Sequence, residues 1–249
     1  LDHVDELFVQ PAAGDSGTSL GAATFVAAAR GEQPGRMNHA YLGPAFNEAA
    51  CRAALDQYGE LLSYRKLDDV PAETAALLAD GNPVAWCQGR MEFGPRALGG
   101  RSILGCPSAP GIADRINEQI KFRERWRPFC PSVLDTVAAD LIQTEHPAPF
   151  MTITFDVNEA WKPRIPEVVH EDGTARVQIV SRDQNARYYD LIAALEGLTG
   201  NAVVLNTSLN RRGEPMVCSP EDALNMFFGS DLEYLVLEDF LVTKVTVDG

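Results

Sequence analysis

The stretch VPAETAALLADGNPVAWC, Val70 to Cys87, decides the class of fold. Pro71 in the first turn and Gly81 after the last turn predict a helix over residues 70–80. The apolar run Val84 to Cys87 then predicts a short buried strand. A helix that leads through a glycine turn into a buried strand is typical of α/β proteins, and we therefore expect an α/β fold.

Further helices and strands are predicted on both sides of this unit. Residues 47–58 predict a helix, and residues 150–157 and 177–180 have the composition of strands. Residues 202–205 predict a compact apolar strand that ends in the polar Asn206-Thr207-Ser208. Because ligands bind at the ends of strands in open α/β sheets, this polar end is a candidate site.

The last quarter of the chain predicts one helix followed by strands. Ser219 has the chemistry of a helix cap, Pro220 suits the first helical position, and the helix is expected to stop at Gly229. Residues 234–247 are β-rich, with a turn expected at Glu238-Asp239. These elements predict one α/β domain with a mixed sheet from about residue 45 to the end.

The N-terminal part has a different character. Residues 6–9 predict a short strand, the Gly-rich residues 14–21 a turn, and the Ala-rich residues 22–30 a helix whose start could attract an anion. Residues 31–44 are rich in Gly and Pro and predict a linker. Because the chain starts at Leu1 rather than Met, we expect a piece of a longer polypeptide. The expected organisation is the end of one domain over residues 1–30, a linker over 31–44 and an α/β domain over 45–249.

Composition narrows the classes of function. The 249 residues, 45% of them hydrophobic, can bury one large core or two smaller ones. Without an apolar run of roughly 18 residues or a signal-peptide pattern, we expect a cytoplasmic protein with no membrane contact. The net charge of -14 argues against nucleic acid as a partner. It suits a cationic substrate, or it serves solubility alone.

Several common catalytic and metal-binding motifs are missing from the sequence. The five cysteines are scattered and lack CxxC spacing, so we expect buried reduced thiols rather than disulfides or zinc ligands. The four histidines lie in polar or Pro-rich surroundings without a GxSxG motif, which argues against a Ser-His-Asp hydrolase. The sequence has neither a Walker motif nor a GxGxxG that follows a strand.

A basic cluster stands out in this acidic chain. Residues 90–127 hold eight of the 21 lysines and arginines but only four acids. Within EFGPRALGGRSIL, residues 92–104, glycines and a proline bracket Arg96 and Arg101 in a tight frame. Guanidinium groups held in this way can bind phosphate through two hydrogen bonds each. The pattern predicts a site for a polyanion such as a nucleoside triphosphate or an acyl phosphate.

Other cations of this cluster have different expected roles. Lys121 and Arg127, six residues apart in KFRERWRPF, add a compact cation and a second forked one to the predicted anion site. Arg115, Arg123 and Arg125 are interpreted as members of a solvated helix face, which is the ordinary place for basic residues.

Three long strings resemble a known family. Residues 89–104 (GRMEFGPRALGGRSIL), 116–134 (INEQIKFRERWRPFCPSVL) and 206–224 (NTSLNRRGEPMVCSPEDAL) are similar to the C-terminal YrdC-like domain of the O-carbamoyltransferases that modify antibiotics and nodulation factors. Members that act on aminoglycosides look especially similar. Residues 8–23 resemble the end of the preceding Kae1-like domain, of the ASKHA type. The resemblance implies a twisted mixed sheet with helices, preceded by this remnant.

The resemblance also implies a reaction in two steps. The YrdC-like domain would convert carbamoyl phosphate and ATP, the latter with Mg2+, to carbamoyladenylate. The upstream Kae1-like domain of the same polypeptide would pass the carbamoyl group to a hydroxyl of a small cationic acceptor such as an aminoglycoside. The residues that would hold the carbamoyl and phosphate groups are Arg96, Arg101, Lys121 and Arg127. Those that would contact phosphate or position the adenylate are Arg176, Asn206 and Ser208.

Asp15 in the sequence GDSG is a candidate metal ligand. By the same resemblance it matches the position of a carboxylate that binds Fe2+ in Kae1-like domains. Its histidine partners would lie upstream of Leu1, so the site would be incomplete on this chain. The alternative is an aspartate that stabilises the turn.

Three other functions remain open at this point. A relative that activates a threonylcarbamoyl or hydrogenase-type carbamoyl group would use the same fold, although the hydrogenase type would carry CxxC zinc motifs. A domain that binds double-stranded RNA is disfavoured by the net charge of -14. A regulatory nucleotide-binding domain would bind ATP without releasing pyrophosphate.

Overall fold

A computed structural model describes residues 7–124 and 126–245, and its centre is an eight-stranded mixed sheet. The strands in spatial order are β1 (Leu62–Lys66), β10 (Phe240–Lys244), β9 (Tyr234–Leu237), β2 (Val84–Cys87), β3 (Arg101–Gly105), β8 (Val203–Ser208), β4 (Cys130–Leu134) and β7 (Gln178–Val180). β2 and β9 are parallel, as are β4 and β7, and the other neighbours are antiparallel. A separate antiparallel pair consists of β5 (Phe155–Asp156) and β6 (Thr174–Ala175).

Helices cover both faces of the large sheet. On one face α3 (Val70–Ala79) packs against α6 (Ala186–Thr199). The helices whose apolar residues pack on the other face are α2 (Glu48–Asp56), α4 (Ile112–Arg115) with the π-helix that continues it (Ile116–Lys121), α5 (Asp135–Ile142) and α7 (Pro220–Phe228). Near the N-terminus, α1 (Thr18–Ala29) buries none of its residues within the described part of the chain. No helix of that part is long and apolar enough to cross a membrane.

The two faces follow from the alternation of side chains along each strand. In β2, Val84 and Trp86 belong to the core that includes α3 and α6, whereas Ala85 and Cys87 belong to the core that includes α2 and α7. All four residues are buried. A strand covered on both faces must be apolar at every position, and this is why its sequence identifies it.

Most of the predicted elements are confirmed. α2, α3 and α7 lie within the predicted ranges, and β2 has the predicted bounds. Ser219 caps α7 through a reciprocal capping box with Asp222, and Gly229 follows the last helical residue. The turn at Glu238-Asp239 joins β9 to β10 as expected. The predicted α/β class with a mixed sheet is therefore confirmed.

Two predicted strands are corrected by the structure. Of residues 150–157, only β5 is a strand, and Met151 instead adopts a positive φ of 54° that interrupts extended backbone. Leu7, Phe8 and Val9 have no regular secondary structure, so the strand predicted over residues 6–9 is wrong there. Glu6 lies outside the described residues.

Several elements give weak signals in the sequence. β1 is mostly exposed and pairs with β10 alone, so the apolar alternation that marks a strand is nearly absent. β4 contains Pro131, a residue that argues against a central strand. In the structure Pro131 is paired with Leu205 of β8, whereas the pairing of β4 with β7 begins one residue later, at Ser132. Tertiary packing overrides local preference at this position.

The predicted linker packs closely against the sheet domain over its second half. Gly43 N donates to Met91 O at 2.9 Å, and Met91 N donates to Pro44 O at 2.9 Å. Phe93 N donates to Ala40 O at 2.6 Å, and the Tyr41 hydroxyl donates to Leu98 O at 2.7 Å. Residues 40–43 therefore lie along residues 91–98, the segment that carries Arg96. The division of the chain at residues 31–44 stays a prediction.

Replacing Gly99 with alanine should destabilise this fold strongly. Gly99 has a φ of +96°, and a Cβ there would lie 2.3 Å from the Tyr188 ring. We expect Gly99→Ala to lower the free energy of unfolding by about 3 kcal/mol, from overpacking together with backbone strain. Gly111→Ala is the matched control, because its φ is +78° but nothing lies within 4 Å. It should cost about 1 kcal/mol. Urea denaturation measures both, and equal losses would contradict the steric explanation.

Candidate functional site

A polar cavity of about 120 Å³ lies at the end of β8. Its walls come from four parts of the chain that the fold brings together. The lining residues are Pro95, Arg96, Ala97, Arg123, Pro128, Phe129, Cys130, Met151, Arg176, Asn206, Thr207 and Ser208. The cavity therefore unites Arg96, Arg176, Asn206 and Ser208, four of the residues predicted to bind substrate.

Arg96 and Arg176 form one cationic side of the cavity. Burial lowers the pKa of Arg96, and the positive charge of Arg176 lowers it further. Arg176 Nη2 donates to Cys130 Sγ at 3.1 Å, while its Nε is buried without a hydrogen-bond partner. Among the described residues, no acid forms an ion pair with either guanidinium. The positive charges of these two guanidinium groups are therefore not neutralised by a described acid.

Arg123 is a third cation that lines the cavity, and it was not expected in the site. Its guanidinium lies over the Phe129 ring, 4.5 Å from the centroid, and its Nε donates to Asn117 Oδ1 at 2.5 Å. Both partners are buried. Its Nη2 has no hydrogen-bond partner, and burial followed by the charge of Arg127 lowers its pKa. The interpretation of Arg123 as a solvated residue is therefore wrong.

The end of the π-helix helps to explain the position of Arg123. The residue directly follows Phe122, whose φ of 46° breaks the helical pattern. A cation at the end of a helix can turn back toward the core rather than extend the exposed face. Nothing in the sequence, however, indicates that Phe129 and Asn117 come together beneath it.

Asn206 lines the cavity and has a buried side-chain oxygen without a hydrogen-bond partner. It is only 2% exposed, and its Nδ2 donates to Ala97 O at 3.1 Å and to Ser132 Oγ at 3.1 Å. A third, longer contact of 3.3 Å joins Nδ2 to Gln178 Oε1. Because Ala97 O can only accept, the amide nitrogen must face it. Asn206 Oδ1 is left buried without a donor, which is costly unless a ligand supplies one.

Lys121 lies behind Ser208 rather than on the cavity wall. It is 6% exposed, and its Nζ donates to Asn210 Oδ1 at 2.7 Å, to Asn210 O at 2.9 Å and to Ser208 O. Burial, and then the charge of Arg123, lowers the pKa of Lys121 to about 7. Lys121 was expected to be an exposed cation that contacts the anion directly. The structure instead gives it protein oxygens that hold the end of β8 in place.

Arg101 faces a different part of the molecule from Arg96. It is 1% exposed, and its guanidinium makes five hydrogen bonds, all of them to backbone carbonyls. The accepting residues are Pro44, Gln88, Gly89, Gly100 and Cys218. The expectation that Arg101 converges with Arg96 on one anion is therefore corrected. Arg101 is the first residue of β3, and it does not line the cavity. The side to which a strand residue points depends on how the strand lies in the sheet, so the spacing of Arg96 and Arg101 along the sequence could not reveal this.

Arg127 does not line the cavity either. Its side chain is about half exposed, and its closest acidic partner is Glu124, with 4.0 Å between Arg127 Nη1 and Glu124 Oε2. It lies near enough to Arg123 to lower the pKa of that residue. Arg127 is thus a surface cation beside the cavity.

Asp15 does not complete a metal site with the described residues. It begins a short 3-10 turn, Asp15–Gly17, and is exposed. Its backbone carbonyl accepts the Thr18 hydroxyl at 2.7 Å. No group of three or more His, Cys, Asp or Glu side chains suited to a metal occurs among residues 7–124 and 126–245. The residues present therefore do not fit an Fe2+ site by themselves.

The fold and cavity define an α/β protein with a small cavity, lined by three arginines, at a strand end. Residues 75–244 match the family model described as carbamoyltransferase C-terminus, which covers more than half of the chain. The chain belongs to this carbamoyltransferase family.

Curated relatives agree with the family match. Nodulation protein NolO of Bradyrhizobium diazoefficiens is 42% identical over 96% of this chain and 45% of its own length. An uncharacterised protein of Synechocystis is 40% identical over 96% of this chain and 43% of its own length. Nodulation protein U of Rhizobium fredii is 37% identical over 84% of this chain and 34% of its own length. The chain thus spans less than half the length of these relatives.

Solved structures show weaker similarity. The crystal structure of HypF from T. kodakarensis covers 73% of this chain and 22% of its own, with a TM-score of 0.47 and 20% identity. A Sua5 variant of P. abyssi covers 68% of this chain and 50% of its own, with a TM-score of 0.43 and 14% identity.

The depressed pKa of Lys121 predicts a pH-dependent stability. The folded lysine releases its proton near pH 7, whereas the unfolded one keeps it until its ordinary pKa of 10.5. Between these values the unfolded state binds more protons, so stability should rise with pH in that window. We expect the wild type to gain stability relative to Lys121→Met from pH 7 to pH 10. Thermal unfolding of both proteins at several pH values measures this gain. A difference in stability that stays the same from pH 7 to pH 10 would contradict the prediction.

Proposed function

We propose that this chain is the carbamoyl-activating part of an ATP-dependent O-carbamoyltransferase. The family match supports carbamoyl transfer. The observation that carries the proposal further is the set of buried polar atoms without partners around the cavity. Two are donors, Arg123 Nη2 and Arg176 Nε, and one is an acceptor, Asn206 Oδ1. A matching ligand must be an anion that also carries an N–H or O–H group.

Carbamoyl phosphate has this combination of groups. Its phosphate oxygens would accept from Arg96, Arg123 and Arg176, and its amide would donate to Asn206 Oδ1. The size of the cavity supports the same choice. At about 120 Å³ it is well below the roughly 300 Å³ at which pockets for drug-sized ligands begin, so it suits an acyl phosphate rather than a whole nucleotide.

The proposed activation consumes both substrates and one water. Water displaces phosphate from carbamoyl phosphate and leaves carbamate. A carbamate oxygen then attacks the α-phosphorus of ATP, which carries Mg2+ as part of the substrate, and the bond to pyrophosphate breaks. The products are carbamoyladenylate, phosphate and pyrophosphate. The guanidinium groups would neutralise the charge that develops on the departing phosphate and would hold the carbamate anion by the same charge.

A direct test is to incubate the protein with ATP and isotopically labelled carbamoyl phosphate. We expect labelled carbamoyladenylate by mass spectrometry, with pyrophosphate released only when both substrates are present. Pyrophosphate release that ignores carbamoyl phosphate, or no labelled adenylate, would overturn the proposal.

The unpaired Asn206 Oδ1 predicts discrimination between carbamoyl and acetyl phosphate. The methyl group of acetyl phosphate cannot donate, and an unsatisfied buried acceptor costs about 1–3 kcal/mol. The wild type should therefore prefer carbamoyl phosphate by about 5- to 150-fold in kcat/KM for pyrophosphate release. In Asn206→Ala this preference should fall toward unity. The ratio is internal to each protein, so a reduced fraction of folded variant does not change it. A wild type that uses both substrates equally would contradict the role of Asn206.

The acceptor of the complete enzyme is proposed to be a cationic hydroxylated molecule such as an aminoglycoside. The support is the net charge of -14 together with the sequence resemblance to aminoglycoside-modifying members. Transfer would require the upstream Kae1-like part of the polypeptide. The histidine ligands that would complete an Fe2+ site with Asp15 would lie in that part.

A salt dependence would test the proposed acceptor. Acidic surface concentrates a polycation near the site, and this attraction is screened over about 8 Å at physiological ionic strength. For the full-length enzyme, the KM for an aminoglycoside should rise with salt, whereas adenylate formation should respond less. Ready carbamoylation of neutral sugars with no activity on amino sugars would contradict the cationic acceptor and leave carbamoyl activation intact.

A further inference from the structure

Three buried polar side chains form a hydrogen-bonded chain that ends at Asn206. Asn206 belongs to β8, Ser132 to the neighbouring strand β4, and Gln178 to β7 on the far side of β4. Ser132 and Gln178 are partners in the register of β4 and β7. All three residues are buried, and of the three only Asn206 lines the cavity. The pairing of the strands therefore holds these side chains together beneath the site.

The hydrogen bonds of this chain allow one assignment of donors and acceptors. Gln178 Nε2 donates to Leu98 O at 2.9 Å, and because a carbonyl can only accept, Gln178 Oε1 must face away from it. Oε1 accepts from the Ser132 hydroxyl at 2.6 Å, which uses the single proton of that hydroxyl. Ser132 Oγ can then only accept from Asn206 Nδ2, which lies 3.1 Å away. The Leu98 carbonyl thus dictates, through two side chains, the orientation of the Asn206 amide.

The reversed orientation of the Asn206 amide has no donor to stabilise it. Reversal would place Oδ1 against Ala97 O, Ser132 Oγ and Gln178 Oε1, the three atoms that Nδ2 now faces. Of these only the Ser132 hydroxyl has a proton, and Gln178 Oε1 accepts it. Gln178 therefore prevents Ser132 from donating to a reversed amide.

We propose that Gln178 and Ser132 are positioning residues that set the specificity of the cavity by fixing which atom of Asn206 a ligand meets. They keep Nδ2 turned inward and leave Oδ1 as the atom without a partner. The site then selects an acyl phosphate with an N–H group over one with an acceptor oxygen in the same place. The inference rests on the proposed function, because it explains how the site would recognise the carbamoyl amide.

The surroundings of Gln178 allow it to be replaced without leaving a carbonyl unsatisfied. Leu98 O also accepts from the Tyr41 hydroxyl at 2.7 Å, so it keeps a donor in Gln178→Met. Methionine is an unbranched side chain of similar length, which fills the space but accepts hydrogen bonds only weakly. In this variant the Ser132 hydroxyl is free to donate to Asn206, and the reversed amide gains a hydrogen bond.

Two stable phosphonates report the orientation of the amide in calorimetric titrations without ATP. Phosphonoacetamide carries an N–H group, whereas phosphonoacetate carries an acceptor oxygen in its place. We expect Gln178→Met to bind phosphonoacetate about fivefold more tightly than the wild type does, the size of one hydrogen bond, because the reversed amide would donate to it. Phosphonoacetamide should show no such gain. Damage to the site would weaken both ligands, so it cannot imitate a gain for one of them.

A second substitution tests the part played by the serine proton. In Gln178→Met with Ser132→Ala the reversed amide again lacks a donor, and the gain for phosphonoacetate should disappear. Val133→Ala is the matched control, because Val133 is the buried neighbour of Ser132 in β4 but points to the opposite face of the sheet. It should keep the wild-type ratio of the two affinities. No gain in Gln178→Met, or a gain that survives Ser132→Ala, would overturn the inference.

Hydrogen exchange reports the same reversal in the absence of any ligand. With 15N-labelled asparagine, the side-chain signal of Asn206 is identified by NMR through its loss in Asn206→Ala. Its protons face inward in the wild type and would reach the cavity only in the reversed amide. We expect their exchange to be about fivefold faster in Gln178→Met and to return to the wild-type rate when Ser132→Ala is added.

These measurements separate failure of the inference from failure of the proposed function. If no adenylate forms and neither phosphonate binds, but exchange follows the expected order of variants, the proposed function fails and the positioning role stands. If adenylate forms while exchange and phosphonate affinities are the same in the wild type and Gln178→Met, the positioning role is overturned and the proposed function stands.

Discussion

The buried guanidinium of Arg101 is the interaction on which the rest of the site depends. Its hydrogen bonds join carbonyls from Pro44, from Gln88 and Gly89, from Gly100 and from Cys218, just before α7. A guanidinium is always charged and has five N–H donors, so carbonyls that surround it must stay where they are. Removing it would leave those carbonyls buried without donors. These hydrogen bonds therefore hold the backbone in place at both ends of the segment that carries Arg96.

A second buried charge shapes the same segment from the inside. Glu92 Oε1 accepts from the backbone nitrogens of Leu98 and Gly100 at 2.6 and 2.7 Å and from that of Arg101 at 3.3 Å. The loop from Glu92 to Gly100 thus closes around a carboxylate. The Gly and Pro residues that bracket Arg96 in the sequence serve this closure, and the rigid frame they form is what presents Arg96 to the cavity.

The cavity concentrates polar groups that the protein itself leaves unsatisfied. Arg96, Arg123 and Arg176 are half buried in a chain of net charge -14, yet the described acids do not pair with them. Such an arrangement costs stability, and binding an anion removes that cost. Lys121 and the arginines have different roles because they are buried to different extents. Lys121 is deep enough to use its donors on Ser208 and Asn210, so it positions the strand end, while the arginines remain for a ligand.

The sequence by itself determined the α/β class, because β2 and the first three residues of β8 are apolar on both faces and α7 has a complete cap. It also located the basic cluster and the polar end of β8, with Asn206. Only the tertiary structure decided which cations share a cavity. Arg101 and Arg96 are five residues apart but face different regions, since the direction of a side chain from β3 depends on its sheet partners. Arg123 enters the site only because Phe129 and Asn117 meet beneath it, and contacts between distant residues leave no local pattern in the sequence.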